Sequence, residues 1–388
     1  MISIKDPIHG MIYFPQEFKY LLNHPIMNRL RRIKQLSLAY LIYPGATHTR
    51  YEHSLGVYGL VEKYFHIQNI MRARDRTERT YYQKLSENER RALIQQSRYY
   101  ALLHDVGHVA FSHDAEHVLG LMYSGEIKAH FEREKQYVKV EDLKDNNGKP
   151  NHKFHEQLGM ALSQLIIDDI GKNLKLPSDF ELLEVPLISF DAGLDRLDYL
   201  VRDAYYTGTS YGVIETDFIL KNILLINPNW REHNSWRIDI EGSKSIEAML
   251  IGRYMMFQNV YNHNKVLKAA AILRKLIYRA LKHNVLTLED IINSGDDVVL
   301  WKLSRAEDRK IRTWALDIIN RRLDIYKQID PENRSELDVL ESDEDIFIYV
   351  SEGKSIDSSL VPKSALIEAL LNEQTKSILL VFKRDPKN

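Results

Sequence analysis

Six stretches of this chain place their apolar residues three and four apart: residues 26–41, 55–73, 88–105, 155–170, 194–205 and 245–283. That period belongs to helices with one buried face, so the chain is committed to a helical bundle. Pro44-Gly45, the polar run 145–150 and the segment Gly208 to Gly212 interrupt the pattern and read as connections. The two ends differ from the middle. Asp6-Pro7-Ile8-His9-Gly10 is a turn signature, and Met11 to Phe14 after it reads as a short strand or hairpin. Beyond an acidic linker around Asp330 to Asp345, Ile346 to Val350 and Ser377 to Phe382 are rich in β-formers. The expected fold is mainly α: a helical bundle over 1–285 with a short N-terminal β element, then a small α/β C-terminal appendage over 286–388.

Composition narrows the chemistry. Lys and Arg number 53 against 54 Asp and Glu among 388 residues, a formal net charge of -1, so no overall field draws the chain to nucleic acid or membrane. There is no cysteine, which removes disulfides, thiolate metal sites and cysteine nucleophiles, and leaves histidine and carboxylates as ligands. No run approaches the ~18 apolar residues that span a bilayer, and the N-terminus lacks an apolar leader core, so the expected location is the cytoplasm. The stretch Arg72 to Arg91 mixes both signs and reads as a solvated helical face, because gripping phosphates requires a net basic surface.

Against this background the histidines stand out. His104, His108, His113 and His117 fall within fourteen residues, denser than core packing explains. His104 and Asp105, at the end of an apolar helix, can both reach one divalent ion, and imidazole with carboxylate suits Fe, Mn, Zn or Mg. Gly107 is expected to end that helix in a turn that returns His108 and His113 to the same point. Upstream, His53 lies just inside a helix that Thr49 can cap. Downstream, Leu194, Leu197, Val201 and Ala204 form the buried stripe of a helix, while Asp195, Tyr199 and Arg202 share another face. From spacing alone this second face is equally an intrahelical Asp–Arg pairing on a solvated helix.

The order His53, His104-Asp105, Asp195 is the H…HD…D pattern of the HD superfamily. Asp6-Pro7-Ile8-His9-Gly10, Arg29-Leu30-Arg31 leading into Lys34-Gln35-Leu36, Tyr43-Pro44-Gly45-Ala46, Arg50 to Val57, His104 to His108 and Phe111-Ser112-His113 extend the match. Together they resemble the deoxynucleoside triphosphate triphosphohydrolases of the SAM-and-HD-domain type and their bacterial relatives, over about residues 3–283. The resemblance implies His53, His104, Asp105 and Asp195 as ligands of a divalent ion, with additional Mg accompanying the triphosphate. It places His108, His113 and His155 as catalytic histidines, with Glu116 near the acidic partner of one of them. Arg50, Arg196 and Arg253 fall at phosphate-contacting positions. Gln35, Leu36, Tyr199, Asp203 and Tyr261 fall where the sugar is held or checked, Asn262 on the base side, and His263 on the effector side.

Three departures from the family pattern accompany it. Gly193 replaces an Asp before the ligand, Asn264 replaces a Lys after His263, and of the guanine-effector positions Asn23, Asn28 and Arg31 only the arginine is kept. The implied activity is metal-dependent hydrolysis of a deoxynucleoside triphosphate to deoxynucleoside and tripolyphosphate, in a dimer or tetramer, with His113 as general acid and His108 and His155 as alternatives for that role or as residues that orient phosphate. Two other readings stand beside it: a phosphodiesterase or phosphatase acting on a cyclic or signalling nucleotide, and a non-catalytic nucleotide sensor or single-stranded nucleic-acid binder. Three phosphate-facing arginines argue against a single-phosphate substrate, and four intact ligands argue against a silent sensor.

Overall fold

The computed structural model describes residues 1–74, 81–123, 127–131, 136–140, 154–177, 180–239, 243–331, 335–351 and 377–385. The expected break at 145–150 and the middle of the Arg72 to Arg91 stretch lie outside the described residues. As expected, the chain is mainly helical, with small antiparallel sheets.

Strands β1 (Ile2–Asp6) and β2 (Gly10–Phe14) form a hairpin. The Asp6 carboxylate accepts the Ile8 and His9 N–H groups at 2.9 and 2.8 Å, and Gly10 takes a positive φ of 74°. A short acceptor side chain and a residue without Cβ are what this turn needs. Two short helices follow, α1 (Lys19–Leu22) and α2 (Pro25–Arg29).

The helix expected over 26–41 stops at α2, and this is a correction. Gln35 N–H donates to His48 O and Arg50 N–H to Ile33 O, both at 2.9 Å, so residues 33–35 run extended beside the strand-like segment at 48–50. Tertiary pairing overrides local period here.

Helix α3 (Arg50–Arg74) is the axis of the bundle. Tyr51, His53, Leu55, Val57, Tyr58, Leu60, Val61 and Tyr64 are all buried, so its first half is covered on nearly every side. Thr49 caps it: Glu52 N–H lies 3.4 Å from Thr49 Oγ1, and Glu52 Oε2 accepts Thr49 N–H at 2.6 Å. Helix α4 (Glu87–Leu103), opened by a Ser86/Glu89 capping box, packs along α3. Next come α5 (His113–Met122), the hairpin of β3 (Ile127–Phe131) and β4 (Gln136–Val140), α6 (Phe154–Ile170), and the short α7 (Pro186–Ser189). Helix α8 (Leu194–Thr207) lies against α3 and ends at Gly208 in the left-handed conformation. Helix α9 (Thr216–Asn222) leads to β5 (Ile223–Leu225), which pairs with β6 (Trp236–Ile238).

The period over 245–283 also divides. Helix α10 (Ser243–Met256) widens into a π turn at Phe257–Tyr261, and His263 then caps α11 (Asn264–Lys282) by accepting Lys265 N–H. After α11 come α12 (Leu288–Asn293), α13 (Asp296–Ser304) and α14 (Arg309–Ile319). Strands β7 (Tyr326–Ile329), β8 (Ile346–Ser351) and β9 (Ile378–Arg384), with α15 (Glu336–Glu341), form a sheet of order β7-β9-β8. Helix α11 packs against α5, α14 and β8. One continuous core holds Leu55, Leu102 and Leu197 together with Leu276, Trp314, Phe347 and Phe382, each fully buried side chain contributing ~1.5–3 kcal/mol. Among the described residues no helix is long and apolar enough to cross a membrane.

Candidate metal centre and active site

Four expected ligands from three elements meet at one point. His53 comes from α3, His104 and Asp105 from the end of α4, and Asp195 from the first turn of α8. The Nε2 atoms of His53 and His104 lie 3.4 Å apart; Asp195 Oδ1 is 2.9 Å from the first and 3.8 Å from the second. Asp105 adds Oδ1 at 3.5 Å from His104 Nε2 and Oδ2 at 3.8 Å from His53 Nε2. Both rings have their other nitrogen committed: Nδ1–H of His53 donates to Asp198 at 2.7 Å, and Nδ1–H of His104 donates to Ala101 O at 2.9 Å. Each ring, when neutral, therefore presents an Nε2 lone pair to the carboxylates. Lone pairs and carboxylates converging in this way call for a cation, and the His/carboxylate set fits a divalent ion, with Arg50 donating to Asp105 from outside. The electrostatics agree. Burial alone would depress the His53 pKa, yet Asp195 and Asp198 outweigh it and raise it to about 10, so this point favours positive charge.

The sequence reading missed what holds His53. Asp198, fully buried, accepts His53 on one oxygen, His9 Nε2 on the other at 2.6 Å, and the Arg202 guanidinium on both. Burial would raise its pKa, but Arg202, His53 and His9 hold it well below the usual carboxylate range. Arg202 also donates to Asp6 at 2.9 Å, so the N-terminal hairpin braces the metal centre through two bonds. Arg202 thus turns inward instead of sharing a face with Asp195 and Tyr199, because its guanidinium folds back one turn onto Asp198. Gly56 makes the approach of α8 to α3 feasible: a Cβ there would collide with Asp198 and Arg202.

A second cluster lies beside the first. The buried Glu116 carboxylate accepts Nδ1–H from His108 at 2.7 Å, from His155 at 3.1 Å and from His113 at 3.2 Å, so the expected partner of one histidine serves all three. His108 and His155 stack at 4.2 Å, and His113 stands edge-on to both. Burial would raise the Glu116 pKa, but His108 and His155 drive it well below the ordinary value. His155 titrates higher than usual because Glu116 overrides the effect of its burial. Surrounding protein drives His113 down toward about 3, although 59% of its side chain is open to water, which limits that depression.

Asp105 joins the two clusters. Its Oδ1 lies 3.3 Å from His108 Nε2, and Arg50 donates to its Oδ2 at 2.9 Å and to Ser112 Oγ at 3.1 Å.

The turn between α4 and α5 is built differently from expectation. The helix ends at Leu103, and Gly107 is absent from the positive-φ glycines, which among the described residues are Gly10 and Gly208. Gly107 is needed for contact: a Cβ would strike the His155 carbonyl and the Gly159 backbone of α6. Buried Arg29 fixes the turn by donating to the carbonyls of Val106, His108 and Ile292. Phe111 and Ser112 then take φ values of 64° and 48°, a strained entry to α5, of order 1–3 kcal/mol per residue.

A third group collects the expected sugar-side residues. Asp203 accepts Tyr261 Oη–H and His48 Nε2–H, each at 2.7 Å, and His48 stacks on Tyr206. Burial raises the Tyr199 pKa while Arg253 and Arg196 oppose it, and Arg253 likewise opposes the rise at Tyr261, which places these side chains in one electrostatic neighbourhood. Gln35 follows the segment paired with His48, and Leu36 packs on the core. Among the described residues, Gln35 Oε1, His48 Nδ1, and Nε and Nη1 of Arg253 are buried without a hydrogen-bond partner, the kind of deficit a polar ligand relieves. Arg196 is placed otherwise: its guanidinium is engaged by Asp191 and the carbonyls of Ser189 and Phe190. Asn262 ends the π turn and is half-buried.

Comparison with known proteins agrees with this geometry. Residues 225–348 match a family model described as an HD associated region. Uncharacterized protein MJ1154 of Methanocaldococcus jannaschii is 32% identical over 331 residues, which is 85% of this chain but 59% of that one. Human deoxynucleoside triphosphate triphosphohydrolase SAMHD1 is 26% identical over 373 residues, 91% of this chain and 55% of that protein. The chain therefore spans little more than half the length of either relative. A crystal structure described as a phosphohydrolase from Bacteroides thetaiotaomicron superposes with a TM-score of 0.67 at 23% identity, covering 99% of both chains, and shares the fold. The H…HD…D residues gathered at one point, the HD associated region and these likenesses are together those of an HD-superfamily phosphohydrolase.

Proposed function

We propose that this chain hydrolyses deoxynucleoside triphosphates to deoxynucleoside and tripolyphosphate. The observation that carries the hydrolytic part is Asp105, shared between a divalent-cation site on one side and a Glu116-anchored set of three histidines on the other. A divalent ion held by His53, His104, Asp105 and Asp195 would supply a Lewis acid and an activated water. Arg50 and Arg253 are the cations that offset phosphate charge, Arg253 entering with two guanidinium nitrogens unpartnered. The water oxygen bonds to the α-phosphorus as its proton passes to solvent, the bond from that phosphorus to the nucleoside 5′-oxygen breaks, and the leaving oxygen takes a proton from His113, which solvent then restores. His113 stands in the place for that task, its side chain exposed while Glu116 holds its Nδ1 and His108 is enclosed; burial disfavours the protonated ring it needs in the free chain, and the charge of a bound triphosphate would favour it. His155 orients phosphate in this reading.

The sugar sits against Asp203, Tyr199, Tyr261, Gln35 and Leu36, where the Tyr261 ring excludes a 2′-hydroxyl by contact; Asn262 faces the base. The name of the human relative supports the substrate class. The same reading includes an effector nucleotide near Arg31 and His263 and a dimer or tetramer, which sedimentation with and without dGTP measures.

A second reading, an HD phosphohydrolase acting on a nucleotide with fewer phosphates, is favoured by one observation: Arg50 and Arg196 already have carboxylate partners, Asp105 and Asp191. Product analysis separates the two. With the metal-loaded chain and a panel of dNTPs, NTPs and cyclic nucleotides in oxygen-18 water, we expect nucleoside and intact tripolyphosphate carrying the label. Orthophosphate and dNDP as first products would overturn the triphosphohydrolase reading.

A further inference from the structure

We infer that Asp296, the first residue of α13, is a positioning residue for this site: its carboxylate ties the Lys34–Leu36 segment to the Phe111–His113 turn. Asp296 is 1% exposed and lies far along the chain from every other site residue. Its Oδ2 accepts Lys34 N–H at 2.9 Å, and its Oδ1 accepts Phe111 N–H at 2.8 Å. One residue beyond the first bond lies Gln35; two residues beyond the second lies His113. Non-glycine residues at positive φ follow the first segment, Ser37 at 47°, and lie within the second, Phe111 and Ser112 at 64° and 48°, conformations that persist only when neighbours enforce them.

The rest of the 291–297 segment points the same way. Ala110 N–H donates to Ile291 O at 3.1 Å, Arg29 reaches Ile292 O, and Lys34 Nζ pairs with Asp297 at 2.9 Å. Gly295 lets the segment come down on Arg32, where a Cβ would strike that side chain and carbonyl. A carboxylate offers acceptors on two oxygens at once, and these two backbone donors use one each. Asp114 Oδ2 accepts the Ser37 hydroxyl at 3.0 Å just beyond, but that link joins side chains, whereas Asp296 accepts a backbone N–H from each segment. Desolvation raises the Asp296 pKa to about 6, a cost that a purely packing role would avoid with an apolar residue.

This inference rests on the proposed roles of His113 and Gln35. Asp296→Asn keeps the shape but offers one acceptor oxygen, and its amide meets a backbone N–H. The full chain carrying Asp296→Asn, with its metal, is compared on a dNTP and on p-nitrophenyl triphosphate, whose leaving group needs no proton. We expect the ratio of the two kcat values to fall at least about tenfold, because misplacing His113 costs only the substrate that needs the acid. That ratio is blind to the amount of folded protein. In a His113→Ala background the same substitution should cost much less on the dNTP than in the unaltered chain, leaving only the part that Gln35 contributes. Equal losses on both substrates, or effects of the two substitutions that multiply, would overturn the assignment. If the wild-type chain hydrolyses no dNTP, the functional reading has failed by itself, and hydrogen exchange decides for Asp296. The amides of Lys34 and Phe111 should then exchange at least about tenfold faster in Asp296→Asn with the core unchanged, and unaltered exchange refutes the clamp.

Discussion

At the scale of single residues, the expected metal ligands depend on partners that would not themselves touch an ion. His53 can offer Nε2 only while Asp198 takes the proton of Nδ1, and Asp198 is held in turn by His9 and Arg202. Asp198→Asn keeps the size but can present an amide N–H to His53 Nδ1, favouring the wrong tautomer. We expect metal affinity about 10–100-fold weaker with the fold retained, since such supporting contacts typically carry that much. Competition with a chromogenic chelator, alongside circular dichroism, measures both, and unchanged affinity would remove Asp198 from the centre. The expected ligands could be singled out because each sits in a short, distinctive motif, and the structure brings them together. Asp198, His9, His48 and Asp296 were not: carboxylates and histidines of ordinary type acquire a role only through partners up to 262 positions away, and no local period records such pairings.

At the scale of elements, the helices that were legible are those whose apolar period also sets their burial: α3, α4, α6 and α8 all fall within a few residues of their expected spans. The failures share one cause, a long-range bond that outweighs helical propensity. Pairing of Ile33 and Gln35 with 48–50 ends α2, and the π turn before Asn262 carries Tyr261 to Asp203. The α4–α5 turn shows the same dependence on contact. Gly107 lets that turn close on α6 so that His108 stacks on His155. Gly107→Ala should force them apart, breaking the sharing of Glu116 while leaving His53, His104 and Asp195 in place. The expected result is a kcat at least about a hundredfold lower with metal content near that of the unaltered chain, the scale set by a displacement of about 1 Å. Loss of metal together with activity would place the effect at the ligands instead.

At the scale of the whole molecule, the site loads the interior with charge, and the pH dependence of stability should reveal it. Asp105, Glu116 and Asp198 would be raised by burial, but Arg50, His108 and Arg202 respectively lead the neighbours that hold them well below ordinary values. A depressed carboxylate contributes stability that is complete above its unfolded pKa, near 3.8 to 4.5, and is lost as pH falls through its folded value. His53 and His155 shift upward, so their contributions are complete below the unfolded value near 6.5 and fade as pH rises through their folded values. Asp296, raised to about 6 by desolvation, binds its proton more readily folded than unfolded, so stability grows as pH falls from about 6 to 3.8. His113 pulls the other way between 6.5 and about 3, but its exposed side chain keeps that loss small. For the metal-free chain, the urea midpoint at pH 5 should therefore be no lower than at pH 7, and the midpoint at pH 3.5 should be sharply lower. Asp296→Asn should remove the gain between pH 6 and 4 but keep the acid collapse. A midpoint that declines steadily from pH 7 downward would mean that the buried carboxylates do not govern the acid transition.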